Sequence, residues 1–257
     1  MYPILIKIGP LTIHTYGVFI ALGFIAGIAL ALHLGKKEGA VSPDSILDIG
    51  FYTLLAAIAG SRLLYVIVEF RYFIKHPLDV FKIWEGGLVF LGGFLLVITV
   101  LLFYFKKHSL PAWKTFDLFT PSLALGHAIG RLGCFSAGCC YGKPSDLPWS
   151  VTFTDPDSMA LLNTPLHPTQ LYESFAELSI FAILMLLRRR KSFDGQILWT
   201  YVLLYSIARF IIEFFRGDIN RGFIYHNFSV AQGLSVALFI SAVIFIASHR
   251  KKKTSWK

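Results

Sequence analysis

The sequence predicts an all-α polytopic membrane protein with seven transmembrane helices, its N-terminus outside and its C-terminus in the cytoplasm. Three observations carry that expectation. Of the 257 residues, 55% are hydrophobic and the mean hydropathy is +0.63. Only 15% are charged, against roughly 25% in an ordinary soluble domain, and one soluble core of this size cannot hide that much apolar surface. Apolar stretches near the ~20 residues needed to cross hydrocarbon recur along the chain. The net charge of +9 is gathered in clusters that fall on one side of such a chain, a positive-inside pattern that excludes a nucleic-acid footprint as its first explanation.

The opening residues, Met1 to Thr15, hold two short apolar runs joined by Gly9-Pro10, expected as a small interfacial hairpin. Lys7 is the only charge before the first long apolar run, and no convincing small-residue cleavage site follows, so no cleavable signal peptide is expected. The first span, 16–34, carries Gly17, Ala21, Gly23 and Gly27, small enough for close helix packing. The second, 46–70, contains Arg62, with Tyr65 and Glu69 on the same helical face. The third, 88–105, is expected to be broken early by Gly92-Gly93. The fourth, 116–132, opens into GHAIGRLGCFSAGCCYG, from Gly126 to Gly142. That stretch puts Arg131 at the end of an apolar segment and all three cysteines within the next nine residues. A polar outer-side loop, 134–168, leads to the fifth span, 171–187, and then to 197–215 and 230–248. No internal repeat is visible, and the chain reads as a single membrane-embedded domain, 1–257.

Orientation follows from the basic residues. Lys36-Lys37, Lys106-Lys107 with Lys114, Arg188 to Lys191, and Arg250 to Lys253 share one side of the seven-span arrangement, the cytoplasmic one. Arg71, Lys75 and Lys82, after the second span, run mildly against the rule. The outer side takes the N-terminus, the long loop and the connection from Gly217 to Asn227.

Charges inside the spans need a reason, since an arginine at membrane depth costs at least ~2.5–3.5 kcal/mol on insertion scales. In the sixth span Tyr205, Arg209 and Glu213 lie at successive four-residue steps, followed by Arg216. One reading is a structural Arg209–Glu213 ion pair; the other keeps donors of Arg209 free for an anion. His127 and Arg131 are one turn apart beside Gly126 and Gly130, which leave room for a ligand. With Arg62, three arginines could converge from three spans. A guanidinium's fork of donors fits phosphate oxygens, and phosphate at this depth belongs to a phospholipid head group. These residues therefore point to a phospholipid-handling membrane protein, expected to be an enzyme. His167, Gln170 and Glu173 sit one turn apart at the mouth of the fifth span, where Pro168 suits a helix start. His167 is readable as a general base or as a capping histidine. The cysteines, spaced C-x4-C-C, match no common zinc pattern; no metal is expected, and redox chemistry or incidental thiols remain as readings.

At these residues the chain resembles the prolipoprotein diacylglyceryl transferase family of bacterial inner-membrane enzymes. The resemblance covers almost the whole chain. It rests on HTYG (His14 to Gly17), GSRLLY (Gly60 to Tyr65), WEGGLVFLGG (Trp84 to Gly93), GRLGCF (Gly130 to Phe135), HPTQLYE (His167 to Glu173), and Tyr205-x3-Arg-x3-Glu-Phe-Phe-Arg ending at Arg216. It implies transfer of the diacylglyceryl group of phosphatidylglycerol to the lipobox cysteine thiol of a preprolipoprotein signal peptide, giving a thioether and glycerol phosphate. The partners implied are that lipid, that peptide and the bilayer, with no nucleic acid and no cofactor. The resemblance makes Arg131 and Arg209 the phosphate and transition-state residues, and Tyr16, Tyr205 and Glu213 positioning groups. Arg62, Gly92, Gly93, Gly142, His167, Glu173 and Arg216 join them as substrate-binding candidates.

Three positions depart from the family pattern. Leu91 stands where the family has a histidine before Gly-Gly, Cys134 where it has asparagine, and Cys139 where it has glutamate. The usual base is therefore missing, and His127, one turn before Arg131, is the candidate replacement, with water near the arginines as the other. Two alternatives remain: a phospholipid-binding member with lost or altered activity, and a thiol-redox membrane protein using Cys134, Cys139 or Cys140. A triple Cys→Ser variant separates the latter, since redox chemistry would die and the transferase would survive. A transporter or scramblase would show repeated halves, which this chain lacks.

Overall fold

The computed structural model describes residues 2–9, 11–39, 41–218, 222–225 and 228–254. Pro10 of the opening turn, Asn227 of the last outer connection and the side chains of Arg250 to Lys253 lie outside the described residues. The chain opens on an antiparallel hairpin, β1 (Ile4–Ile8) paired with β2 (Leu11–His14). The helices follow: α1 (Thr15–Glu38), α2 (Pro43–Val68), the short α3 (Phe70–Phe73), α4 (Phe90–Lys107) and α5 (Ala112–Ala137). After a loop containing β3 (Val151–Thr152) and β4 (Pro165–Leu166) come α6 (Thr169–Arg188) and α7 (Gln196–Glu213). The hairpin β5 (Phe223–Tyr225) and β6 (Phe228–Ser229) leads to α8 (Val230–Thr254).

Among the described residues six helices are long and apolar enough to cross a membrane: α1, α2, α4, α6, α7 and α8. The expected fourth span is a helix too, α5, but a less apolar one. The reason lies in its buried face, where Asp117, Thr120 and Ser122 are shielded alongside Ala124 and Ala128. Asp117 has a specific use. Its carboxylate accepts the N–H groups of Gly195 (2.8 Å) and Leu198 (2.9 Å) and the Lys191 ammonium (3.0 Å). The start of α7, which has no side-chain cap of its own, is thereby capped from another helix.

Two features of these helices differ from expectation. Gly92 and Gly93 lie in the first turn of α4 and do not break it. Their smallness serves a crossing with α2: a Cβ on Gly92 would stand 2.3 Å from the Gly60 carbonyl oxygen, and one on Gly93 2.4 Å from Ser61 Oγ. Without side chains there, the two backbones approach directly. At the other end, α5 continues through Ala137, so the first residues of the expected outer loop are helical. It stops at Gly138, whose φ of +77° suits a left-handed helix terminus.

The chain forms two compact units, one of Met1–Leu30 with Phe116–Lys257 and one of Ala31–Thr115. In the first, Ala124 of α5, Ile180 and Leu184 of α6, and Ile197 and Tyr201 of α7 make a buried apolar cluster. A smaller one, Phe153, Ala160 and Leu166, gives the long loop its own core. In the second, α2 and α4 pack along the glycine crossing just described.

Candidate functional site

The larger unit brings a set of largely buried ionisable groups together on α5, α6 and α7. On α6, Gln170, Glu173, Glu177, Ile180 and Leu184 are all buried, the stripe expected when every third or fourth residue faces protein. Ser174 locks this face to α5 by donating to the Ala128 carbonyl at 2.8 Å. His127 and Arg131, one turn apart on α5, are thereby opposed to Glu173 and Glu177, one turn apart on α6.

The pairing is specific. Arg131 donates from Nη2 to Glu173 Oε1 at 2.8 Å and from Nε to His127 Nε2 at 3.2 Å. His127 Nδ1 stands 2.7 Å from Glu177 Oε1. Because Nε2 accepts from Arg131, the imidazole proton sits on Nδ1 and points at Glu177. The Tyr201 hydroxyl donates to the same Glu177 oxygen at 3.3 Å. The arrangement is a continuous relay, Tyr201–Glu177–His127–Arg131–Glu173. Among the described residues, Arg131 Nη1 has only the Cys134 sulfur, at 4.0 Å.

Arg209 repeats the pattern on one helix. Its Nη2 lies 2.7 Å from Glu213 Oε2, and its Nη1 is buried with no hydrogen-bond partner among the described residues. The structural ion pair and the donor held in reserve are thus both present in one side chain. Tyr205, one turn earlier, lies within electrostatic reach of Glu173, Arg209, Arg131 and Glu177. Its ring stacks on Tyr201, with centroids 5.7 Å apart. Tyr16 at the start of α1 packs on Gly133, where a Cβ would meet the Tyr16 carbonyl at 3.1 Å.

The remaining candidates in this unit lie where the long loop meets the end of α7. Gly142 donates to the His167 carbonyl (3.0 Å), and Lys143 to that of Phe215 (2.8 Å). A Cβ on Gly142 would fall 2.5 Å from both His167 Cβ and the His167 carbonyl oxygen, so only glycine fits. His167 contacts the Tyr172 hydroxyl through Nδ1 at 3.2 Å. Arg216 is paired with Asp218 through two nitrogens, one at 2.8 Å from Oδ1. Cys134, in the last turn of α5, lies close to Cys139 and Cys140 in the turn that follows. Hydrogen bonds from Cys134 and Cys139 hold the Cys140 thiol below the usual thiol range.

In the smaller unit, Arg62 takes a different set of partners. It donates from Nε to the Val80 carbonyl (2.9 Å), from Nη1 to those of Gly86 (2.7 Å) and Gly87 (3.2 Å), and from Nη2 to that of Asp79 (2.5 Å). Its guanidinium lies 5.4 Å from the ring centroids of Tyr65 and of Phe73. Tyr65, Glu69, Tyr72 and Phe73 line the cleft of about 230 Å³ that Arg62 borders. Gly92 and Gly93 belong to the helix crossing of this unit.

Glu177 and Tyr201 are the residues that sequence reasoning missed. A signal for Glu177 was available: it follows Glu173 by four residues inside an apolar span, which puts two costly carboxylates on one face. Tyr201 carried none, since a tyrosine one turn before Tyr205 is ordinary in such a helix.

Comparison with known proteins points to one family. A family model described as prolipoprotein diacylglyceryl transferase matches residues 3–248. Proteins named phosphatidylglycerol–prolipoprotein diacylglyceryl transferase align with it along nearly their whole length. The one from Clostridium tetani is 35% identical over 253 residues, covering 98% of this chain and 100% of the relative. That from Finegoldia magna is 37% identical over 238 residues, covering 92% and 91%. That from Geobacter sulfurreducens is 33% identical over 255 residues, covering 97% and 96%.

Proposed function

The chain belongs to the prolipoprotein diacylglyceryl transferase family, and from that premise we propose how its own residues perform the transfer. The protein is a transferase that moves the diacylglyceryl group of phosphatidylglycerol to a prolipoprotein. The acceptor is the thiol of the lipobox cysteine in the preprolipoprotein signal peptide. Its sulfur attacks the terminal glycerol carbon of the diacylglyceryl group. The S–C bond forms as the C–O bond to phosphate breaks, the electron pair stays on the phosphate oxygen, and glycerol phosphate departs.

One observation carries this reading. Arg131 and Arg209 each set one nitrogen on a glutamate, at 2.8 and 2.7 Å, and leave Nη1 without an oxygen partner among the described residues. An unfilled buried donor on a cation is costly unless an anion meets it. The departing phosphate is that anion, and donors fixed in advance stabilise it as its charge grows.

The thiol must also lose a proton, since a free cysteine has a pKa of ~8.5. His127 is the base we assign. At rest its Nε2 is occupied by the Nε–H of Arg131. A phosphate that draws the guanidinium away frees that lone pair, and Glu177, 2.7 Å from Nδ1, stabilises the imidazolium that results. Lipid binding thereby switches on the base. Glu173, Glu213, Tyr205 and Tyr16 hold or flank the two arginines, while His167, Gly142 and Arg216 shape the loop beside them. Arg62 orders the 79–87 segment of the α2–α4 unit, and Gly92 and Gly93 let the two helices of that unit close on each other.

We place the protein in the bacterial inner membrane with α5 as a seventh span, the N-terminus outside and the C-terminus cytoplasmic. Basic residues in the last turns of α1 (Lys36, Lys37), α4 (Lys106, Lys107) and α6 (Arg188) support that orientation. The test is to incubate the purified protein with phosphatidylglycerol and a lipobox peptide and weigh the product. A thioether-linked diacylglyceryl adduct is expected. Its absence with folded, lipid-loaded protein would sink the mechanism and favour a member that binds lipid without transferring it.

A further inference from the structure

The sulfur atoms of Cys134, Cys139 and Cys140 lie within 4.8 Å of one another, all three are free thiols, and the transfer mechanism uses none of them. Their spacing in sequence does not explain the meeting; the backbone does. After α5 ends, Gly138 (φ +77°) and Cys140 (φ +59°) turn the chain back over Cys134. A Cβ on Gly138 would lie 2.0 Å from Ser158 Oγ, so that residue has no substitute. Cys140 holds a left-handed conformation that few residues with a side chain adopt. The reversed turn is pinned from α6, where Thr169 Oγ1 donates to the Cys140 carbonyl and Gln170 Nε2 to the Cys139 carbonyl, both at 2.8 Å. Thr169 and Gln170 are themselves 1% and 0% exposed.

We propose that Cys134, Cys139 and Cys140 form a three-thiolate site for a soft d10 cation of the zinc or monovalent-copper type, which clips the end of α5 to the turn that follows. Sulfurs bound to one such ion at about 2.3 Å in tetrahedral directions stand about 3.8 Å apart. Closing from the present spacing takes about 1 Å, within reach of side-chain rotation on a backbone that is already fixed. Three thiolates with an open position are the donor set that soft ions select. Arg131 and Arg216 both act electrostatically on the cluster and offset its negative charge. Binding forms three metal–sulfur bonds and releases the protons that the three sulfurs still carry, with no oxidant involved. The ion would hold the turn of α5 that carries Arg131, three residues before Cys134.

The test uses the full-length chain in detergent, free of any tag, reduced and stripped of metal, and titrated with Cd(II) as the spectroscopic probe. A thiolate-to-metal charge-transfer band should grow and saturate at a single ion per chain. All three thiols should become protected from alkylation, as read by mass. Cys139→Ser should weaken binding roughly tenfold or more, and the triple Cys→Ser variant should show no band. Zn(II) should raise the melting temperature of the unaltered chain and leave that of the triple variant unchanged. Equal alkylation rates with and without Cd(II), or a band that survives in the triple variant, would overturn the site. So would a disulfide between any two of the three that re-forms in the folded protein after reduction, which would assign a redox pair. Protection from alkylation is measured on the unaltered chain, so the outcome does not depend on how well a variant folds.

Discussion

Arg62 turns its guanidinium to the carbonyls of Asp79, Val80, Gly86 and Gly87, whereas Arg131 and Arg209 each rest on a glutamate and keep a nitrogen in reserve. All three sit in apolar helices of the same chain, and the difference lies in what can displace their partners. Four backbone carbonyls spaced along 79–87 cannot leave without unfolding that segment, so the Arg62 cluster is a fixed clamp. A glutamate paired with one nitrogen tolerates an incoming anion on another. On the proposed mechanism the arginine network of the larger unit meets a charge that arrives, while the clamp of the smaller unit holds its own loop.

Removing the fork from the first network should have the largest effect. Arg131→Ala is expected to lower the rate of thioether formation about a thousandfold or more while the protein stays folded. Arg131→Lys should rescue little, because an ammonium cannot serve Glu173, His127 and a phosphate at once. Initial rates with phosphatidylglycerol and a lipobox peptide decide the matter. Near-normal turnover in Arg131→Ala would remove the contrast between the two regions.

Next come the residues behind the base. Glu177→Gln should slow the transfer about a hundredfold, since an amide no longer stabilises the imidazolium of His127. His127→Ala should cost a similar factor, and the double variant little more, because both act on one proton. The rate of Glu177→Gln should recover towards higher pH, where the substrate thiol ionises unaided. Independent, multiplying losses would show that the two residues do not work as a pair.

The clamp should answer differently. In Arg62→Ala four carbonyls lose their donor, and a buried group left unsatisfied costs about 1–3 kcal/mol. The melting temperature in detergent should therefore drop by several degrees. Activity per folded molecule should fall far less than in Arg131→Ala. An Arg62→Ala variant with an unchanged melting temperature and no activity would move Arg62 into the first category.

Much of this was legible in the residues. Apolar length and composition marked where the long helices lie along the chain, and the cost of charge at membrane depth singled out Arg62, Arg131 and Arg209. What composition could not convey was the partner of each. Whether Arg62 meets a phosphate or a carbonyl depends on the path of residues 77–87, and nothing local to Arg62 encodes it. Glu177 hid among apolar neighbours because its meaning lies in facing His127 across two helices. Gly92 and Gly93 looked like a break in a helix and are the reason two helices touch, since a missing side chain serves either purpose. The meeting of the cysteines likewise depends on two left-handed residues, Gly138 and Cys140, and the second of these no pattern announces.

The smallest effect concerns the edge of the clamp. Asp79 offers its carbonyl to Arg62 and its carboxylate to Lys82 (2.6 Å) and to the Tyr72 hydroxyl (2.7 Å). The hydrogen bonds from Lys82 and then Tyr72 hold the carboxyl below its ordinary value of 3.8. A carboxyl whose folded pKa is depressed adds stability above its unfolded pKa and loses it as pH falls through the folded one. Its contribution is thus constant at neutral pH and disappears only below about pH 4. Asp79→Asn should remove that acid dependence while the backbone hydrogen bond to Arg62 persists, leaving activity intact. Hydrogen exchange of the 77–87 amides, compared between neutral and acid pH, reads the effect. If protection there falls in Asp79→Asn as far as in Arg62→Ala, then the side chain of Asp79 and not the arginine fixes the segment, and the clamp must be reassigned to its surface.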